Sequence, residues 1–366
     1  MKRYSLHSNN KNSKFKTKKN MKKSYILILF ISFASMLTAQ VMPTRTIDYN
    51  LMGYPKTVRY MKFEADTNLK KQRNSYIEDY QLTFNDKRLL TECVNFINGT
   101  RDRVTKYEYN QRRQLIKETI TEKDGRIASV TNYTYNNIGR LATLTEISYP
   151  NSRGGANRTK RMEIYTYSEK GLLIEKDIRS DNQSANKNIK YFYGPADSLI
   201  STITTYGYNA NVEKLTIKRA FNNLAMENIW TRNDKQTRRE TYDYDDNLML
   251  SHKEVYNAKN KKILTYTYKF DEHFNLISET AVDQNNVKTI EYSYDYQKDK
   301  YFNWTKRTVY DSWAIKYTEV RNIDYFDKTH FYDDLKDMEN KRVITDKVEK
   351  PTNRSREYKD QPINQQ

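Results

Sequence analysis

From Phe84 to Tyr296 apolar and polar positions alternate with a two-residue period, and one phrase keeps returning. It is an aromatic-x-aromatic pair, then usually Asn or Asp, then Leu six residues after the second aromatic. Clear copies are Tyr107-Glu108-Tyr109-Asn110 with Leu115, Tyr133-Thr134-Tyr135-Asn136 with Leu141, and Tyr165-Thr166-Tyr167-Ser168 with Leu173. Others are Tyr191-Phe192-Tyr193 with Leu199, Tyr242-Asp243-Tyr244-Asp245 with Leu250, and Tyr268-Lys269-Phe270-Asp271 with Leu276. Weaker copies stand at Phe84, around Phe221 and at Tyr294-Asp295-Tyr296. A period near 26 residues, sustained this long, identifies an array of like supersecondary units.

Residues two apart share a face only in an extended strand, so each aromatic pair predicts a strand with both rings on one side. Tyr, Thr, Ile and Val around the pairs are strand formers. Asn110, Asn136, Asp245 and Asp271 head the turns that follow, and Gly139 and Gly171 sit inside two of them. Each Leu then opens a returning strand, and a second turn such as Lys123-Asp124-Gly125 closes the unit. Two strands per unit give about 16 or more antiparallel strands. Twist accumulates in so wide a sheet. The expected fold is therefore all-β, an antiparallel β-hairpin repeat array forming a long curled or superhelical sheet.

The ends depart from the pattern. Residues 1–20 carry seven Lys or Arg and no acid, and read as a basic extension outside the mature protein. Residues 21–39 read as a signal peptide: Lys22-Lys23, an apolar run from Tyr25 to Leu37, and a cleavage site after Ala39. That run is too short to cross a bilayer of about 30 Å. The expected organisation continues with N-terminal cap strands over 40–79, repeats over 80–310, a C-terminal cap over 311–335 and a disordered tail over 336–366.

Composition points to a thin, wet sheet. Hydrophobic residues are 37% of the chain, with Tyr at 32 and Phe at 13. A tyrosine packs its ring sideways while its hydroxyl meets water, which suits a face that never dries completely. The formal charge is +18, but nine Lys and Arg precede Val41 without an acid, leaving +9 for the exported chain. The remaining bases alternate with acids, as on solvated strand faces, so nucleic acid is not an expected partner. Cys93 is the one cysteine, so no internal disulfide is available.

The units resemble the YD-repeat, or RHS-repeat, family. Tyr133-x-Tyr135-Asn136-x-x-Gly139-Arg140-Leu141 is similar to its consensus, and Tyr165-x-Tyr167-x-x-x-Gly171-x-Leu173 follows it with Ser168 in place of the acid or amide. The resemblance spans roughly residues 80 to 310 and identifies a short secreted member of the Bacteroidetes type. It implies hairpin strips that coil into a partial RHS-like shell, a surface or secreted location and carbohydrate binding. Most units place Arg113, Asp197, Leu248 or Phe274 where the family has Gly. No toxin domain follows the array, so encapsulation is not implied.

Catalytic chemistry is sparse. His7, His252, His273 and His330 lack metal-ligand spacing, and neither a phosphate loop nor a nucleophile elbow is present. Asp333-Asp334 lacks the loop spacing of a calcium site. Glu118, Glu175 and Glu279 recur after the repeat Leu; repetition favours cross-strand pairing with Lys or Arg over a single acid and base pair. No cofactor and no metal are expected. The leading expectation is a non-catalytic secreted or cell-envelope protein, periplasmic or at the cell surface, without a membrane span. Its Tyr-rich face would bind carbohydrate or an envelope protein. The alternative is a polysaccharide-active hydrolase. Candidate binding residues are Tyr133, Tyr135, Tyr165, Tyr167, Tyr242 and Tyr244 of the pairs, with Trp230, Trp304 and Trp313. The irregular stretch from Gly194 to Trp230 is the first place to look for a site.

Overall fold

The computed structural model describes residues 44–64, 76–149, 158–220 and 222–326. Twenty strands run through them, each antiparallel to its sequence neighbours. They begin with β1 (Pro55–Glu64), β2 (Tyr76–Phe84), β3 (Leu90–Ile97), β4 (Thr100–Tyr109), β5 (Leu115–Glu122), β6 (Ile127–Tyr135) and β7 (Leu141–Ser148). The middle of the array is β8 (Thr159–Tyr167), β9 (Leu173–Ser180), β10 (Lys187–Tyr193), β11 (Leu199–Tyr206), β12 (Val212–Arg219), β13 (Ala225–Arg232) and β14 (Lys235–Tyr244). The last are β15 (Leu250–Asn257), β16 (Lys262–Phe270), β17 (Leu276–Asp283), β18 (Lys288–Lys298), β19 (Trp304–Asp311) and β20 (Ala314–Tyr325). Single 3-10 turns occur at Thr46–Tyr49, Gln183–Ala185 and Pro195–Asp197, and no α-helix occurs among the described residues.

β20 pairs with β1, from Pro55 opposite Tyr325 to Glu64 opposite Tyr317. The sheet is therefore a closed barrel, which corrects the expectation of an open curled or superhelical strip. A repeat period counts hairpins but does not reveal that the first and last strands are complementary. Here Val58, Tyr60 and Lys62 stand opposite Ile323, Arg321 and Glu319, so both strands turn the same kind of face inward. Closure also satisfies the two rows of backbone donors and acceptors that an open strip leaves bare. The segments expected as caps contain these two seam strands. The basic extension, the signal segment, the tail and His7, His330 and Asp333-Asp334 lie outside the described residues.

One bulge recurs at nearly every aromatic strand's end. Tyr109 pairs with Leu115, Tyr135 with Leu141, Tyr167 with Leu173 and Tyr244 with Leu250, each across a register shift. The same register joins Arg219 to Ala225. Arg219, not Phe221, is thus the anchor of the sixth unit, which corrects the sequence alignment; Phe221 lies outside the described residues. Tyr193 to Arg219 is then 26 residues and Arg219 to Tyr244 is 25, so the irregularity there disappears. Recognition failed because an arginine replaces the aromatic ring while keeping its hydrogen bond.

Both rings of each pair lie on the less exposed face, with Tyr133, Tyr165 and Tyr242 buried between exposed neighbours such as Asn132 and Thr134. Side chains converge on the concave side of a closed sheet and diverge on the convex side, so the aromatic face is the inner one. Leu115, Tyr133, Leu141, Tyr165 and Leu173 form one cluster there, and Leu51, Val58, Leu82, Phe84 and Leu90 another. The outer face carries residues such as Glu108, Lys117, Asn132, Lys190 and Lys269, which follow from strand alternation. That is not the apolar belt that a lipid-facing barrel presents. No helix among the described residues is long and apolar enough to cross a membrane.

Candidate functional site

The second tyrosine of each pair has a structural task. Its hydroxyl donates to the carbonyl of the preceding unit's repeat residue: Tyr109 to Leu90 at 2.6 Å, Tyr135 to Leu115 at 2.7 Å, Tyr167 to Leu141 at 2.8 Å and Tyr193 to Leu173 at 2.8 Å. Tyr244 reaches Ala225 at 2.9 Å and Tyr296 reaches Leu276 at 2.9 Å. Arg219 supplies the equivalent bond from Nε to Leu199 at 2.7 Å. Of the candidate binding residues, Tyr135, Tyr167 and Tyr244 therefore use their hydroxyls to clamp adjacent hairpins.

The first tyrosines meet carboxylates. Tyr133 donates to Glu118 at 3.3 Å, while Tyr165 and Tyr242 donate to Glu163 and Glu240 two residues earlier on their own strands. Arg161 and Arg238 donate to the same two carboxylates from the other side. An Arg-x-Glu-x-Tyr triplet thus occurs twice, on β8 and β14, and the spacing of two places all three groups inward. Lys176 adds an ion pair to Glu163 at 2.6 Å. Burial pushes the Glu163 carboxyl up, but Lys176, Tyr165 and Arg161 outweigh it and hold the group below the ordinary glutamate range. The alternation of charged residues through the aromatic strands was the available signal for these triplets.

Of the three recurring glutamates expected to face Lys or Arg across strands, Glu175 does so, opposite Lys190, whereas Glu118 and Glu279 stand opposite Tyr107 and Thr131 and opposite Tyr268 and Tyr292. Glu118 and Glu279 accept from Tyr133 and from Tyr294, the latter at 3.1 Å, on the inner face. Glu175 stands opposite Thr166 on the outer face and accepts from Asn188 at 2.8 Å. Burial raises the Glu118 pKa, opposed by the Tyr133 hydrogen bond. Cys93 sits half-buried on the inner face, its thiol pushed up to about 12 chiefly by burial. His252 stands opposite Thr267 on the outer face, and His273 lies in a turn against the Phe302 ring. Among the described residues no three His, Cys, Asp or Glu side chains gather as a metal site.

The three tryptophans have different surroundings. Trp304 is covered: the Arg321 guanidinium lies 3.6 Å from its ring centre, Arg307 5.2 Å, and the edge of Tyr60 6.4 Å. Glu319 binds Arg307 and accepts from Tyr60 at 2.5 Å, completing a charged knot beside the seam. Burial lowers the Arg321 pKa to about 10. Trp313 tips the β19–β20 hairpin and is 95% exposed. Trp230 lines a concavity of about 660 Å³.

That concavity joins Thr202 and Thr204 of β11, Leu215 of β12, Trp230 of β13, and Arg238 and Glu240 of β14. Register explains the opening. Positions three and five residues beyond the repeat Leu hold Lys176 and Ile178 in β9 and Lys253 and Val255 in β15, but only the two threonines in β11. Leu215 then stands between Thr202 and Trp230 on adjoining strands, and Trp230 faces Arg238 across the next. The Arg238 guanidinium is 5.6 Å from the Trp230 ring centre. Glu213 also lines the concavity; hydrogen bonds from Tyr206 at 2.7 Å and Arg232 at 2.6 Å hold its carboxyl below the ordinary range. The site falls on the stretch from Gly194 to Trp230 and the strand that follows it.

No family model and no curated protein matches the chain. Among solved structures it is similar to a chain of TcdB2-TccC3-TEV, at 10% identity and a TM-score of 0.34, over 67% of this chain and 16% of that one. A chain of TcdB2-TccC3-Cdc42 aligns at 10% identity and a TM-score of 0.31, over 71% and 19%. The chain thus spans less than a fifth of those chains. A porin-like protein from Bacteroides uniformis ATCC 8492 aligns at 12% identity and a TM-score of 0.31, over 77% of this chain and 99% of that one.

Proposed function

We propose that this chain is a non-catalytic β-barrel of the YD-repeat type, secreted or held in the cell envelope, that binds a polysaccharide segment in the Trp230 concavity. The observation that carries the reading is the opening beside Trp230, where two threonines replace the long side chains of neighbouring units. A Trp ring stacks on the apolar face of a sugar, while Thr hydroxyls and the Arg238 guanidinium, itself held by Glu240, offer hydrogen bonds around its rim. Export rests on the signal-like sequence before residue 40.

The hydrolase alternative fits this site less well. A glycosidase needs one carboxylic acid whose pKa is raised beside a second that stays ionised. Glu213 is shifted the opposite way, and Glu240 is occupied by Arg238 and Tyr242. Calorimetric titration against a panel of neutral and acidic glycans tests the proposal. Binding is expected for the wild type and weakened at least tenfold in Trp230→Ala, with the β circular dichroism spectrum retained. Binding that ignores Trp230→Ala would overturn the assignment, and release of new reducing ends would replace it with the hydrolase.

A further inference from the structure

Two strands of the barrel carry the same inner-face layout, and they differ in what becomes of one cation. On β8, Glu163 stands two residues after Arg161 and two before Tyr165, and Lys176 of β9 lies opposite Tyr165. On β14, Glu240 stands between Arg238 and Tyr242 in the same way, and Lys253 of β15 lies opposite Tyr242. Lys176 closes an ion pair with Glu163 at 2.6 Å. Lys253 has no ion pair among the described residues; its ammonium instead lies 4.1 Å from the ring centre of Tyr266 on β16.

Lys253 is half-buried on the inner face, next to the Trp230 concavity through Glu240, which lines it and stands opposite Val255. Burial pulls the Lys253 amine below the ordinary lysine range, helped by Arg238 and opposed by Glu240 and Glu279. The acids around it have partners already. Glu240 accepts from Arg238 and Tyr242, Glu279 from Tyr294 at 3.1 Å, and Glu213 at the far side of the concavity from Tyr206 and Arg232. A positive charge is thus left in a partly desolvated place with no anion in contact, where an ion pair is stronger than in open water.

We infer that the glycan held at Trp230 is an acidic one, a polyuronate whose carboxylate on a nearby sugar pairs with Lys253. The inference rests on the Trp230 concavity being a glycan site. Register sets the reach: Lys253 is two strands from Trp230 and four residues further along, which at about 4.8 Å per strand and about 3.4 Å per residue is roughly 16 Å, the span of a short oligosaccharide. Arg238 lies between them, 5.6 Å from the Trp230 ring centre, and the Tyr266 ring, parallel to that of Tyr268, continues the aromatic floor beyond Lys253. Sugar rings stack on such faces while their carboxylates take the cations alongside.

The test is calorimetric titration of the full chain with oligogalacturonate and with its fully methyl-esterified form, which keeps the sugar rings and removes the charge. The acid form is expected to bind about tenfold more tightly at low salt and to lose that advantage as salt rises. Lys253→Met should weaken the acid form about tenfold, the loss of one charge-assisted contact, and leave the ester unchanged. Lys176→Met, which removes the paired lysine, should leave the acid-to-ester ratio as in the wild type. Equal affinity for the two forms, or a Lys253→Met loss shared by both, would overturn the inference, while loss of both forms in Trp230→Ala would still uphold the glycan site. Neutral glycans bound through Trp230 with neither galacturonate form bound would separate the two in the same way. Poly-glutamate bound as tightly as the uronate, with the same dependence on Lys253, also counts against the inference, because charge alone then suffices. Failure of every glycan to bind removes the site and the inference together.

Discussion

The hydroxyl of Tyr135 donates to the backbone carbonyl of Leu115, 2.7 Å away on the preceding hairpin. This bond, repeated around the barrel, explains why the second position of the pair is usually Tyr although Phe would pack as well. Phe270 is an exception, and its place in the ladder lies beside Leu250.

The ladder predicts opposite effects from one atom. Tyr135→Phe and Tyr167→Phe should each lose about 1 kcal/mol, the net value of a hydrogen bond whose acceptor is left without its partner. Phe270→Tyr should gain a similar amount. Urea melts of the three variants measure this, and equal behaviour of all three would show the hydroxyls to be idle.

The turns after even-numbered strands offer a second test. Their fourth residue has positive φ in unit after unit: Arg113 at 61°, Gly139 at 80°, Gly171 at 78°, Leu248 at 62° and Phe274 at 62°. A bulky L-residue pays roughly 1–2 kcal/mol in that region, against a smaller unfolded-state entropy cost for glycine. Leu248→Gly and Phe274→Gly should therefore raise stability by up to about 1 kcal/mol, while Gly139→Ala lowers it. Thermal melts with no gain in either glycine variant would refute this account.

Much of this architecture is legible in the residues. Tyr133 and Tyr135 announce a strand by their spacing, and Asn136 announces its turn, because both signals act between near neighbours in the chain. Asn110 and Asp245 accept from the amides two and four residues on, as turn-heading residues do. The seam was not legible, since Tyr60 meets Arg321 only through closure of the whole ring. Nor could alternation alone reveal the Trp230 concavity. Its opening depends on which small residues fall on β11, two strands away, and on an anchor disguised as Arg219.

Acid dependence follows from two glutamates of opposite sign. Glu163 has a depressed pKa in the fold, so its contribution is present above the ordinary glutamate pKa and lost as pH falls through the folded value. Glu118 has a raised pKa; its favourable contribution is present below the ordinary value and lost as pH rises through the folded one. Glu163→Gln should destabilise the barrel at neutral pH and reduce its loss of stability in acid. Glu118→Gln should stabilise it at neutral pH and converge on wild type in acid. Denaturant melts across pH, with the two variants moving in the same direction at neutrality, would contradict these assignments.

Closure itself is testable by chemistry at the seam. Met61 on β1 stands opposite Val320 on β20, and both belong to the outer face. In a Cys93→Ser background, Met61→Cys with Val320→Cys should form an intramolecular disulfide on mild oxidation, visible as a faster-migrating monomer under non-reducing conditions. Tying residues so distant in sequence should also stabilise the fold by about 5 kcal/mol in the chain-entropy view. A control pairing Met61→Cys with Thr265→Cys, on a strand far around the ring, should form no such bond. An open strip separates β1 from β20 and leaves the seam cysteines reduced or joined between molecules, so that outcome would refute the closed barrel.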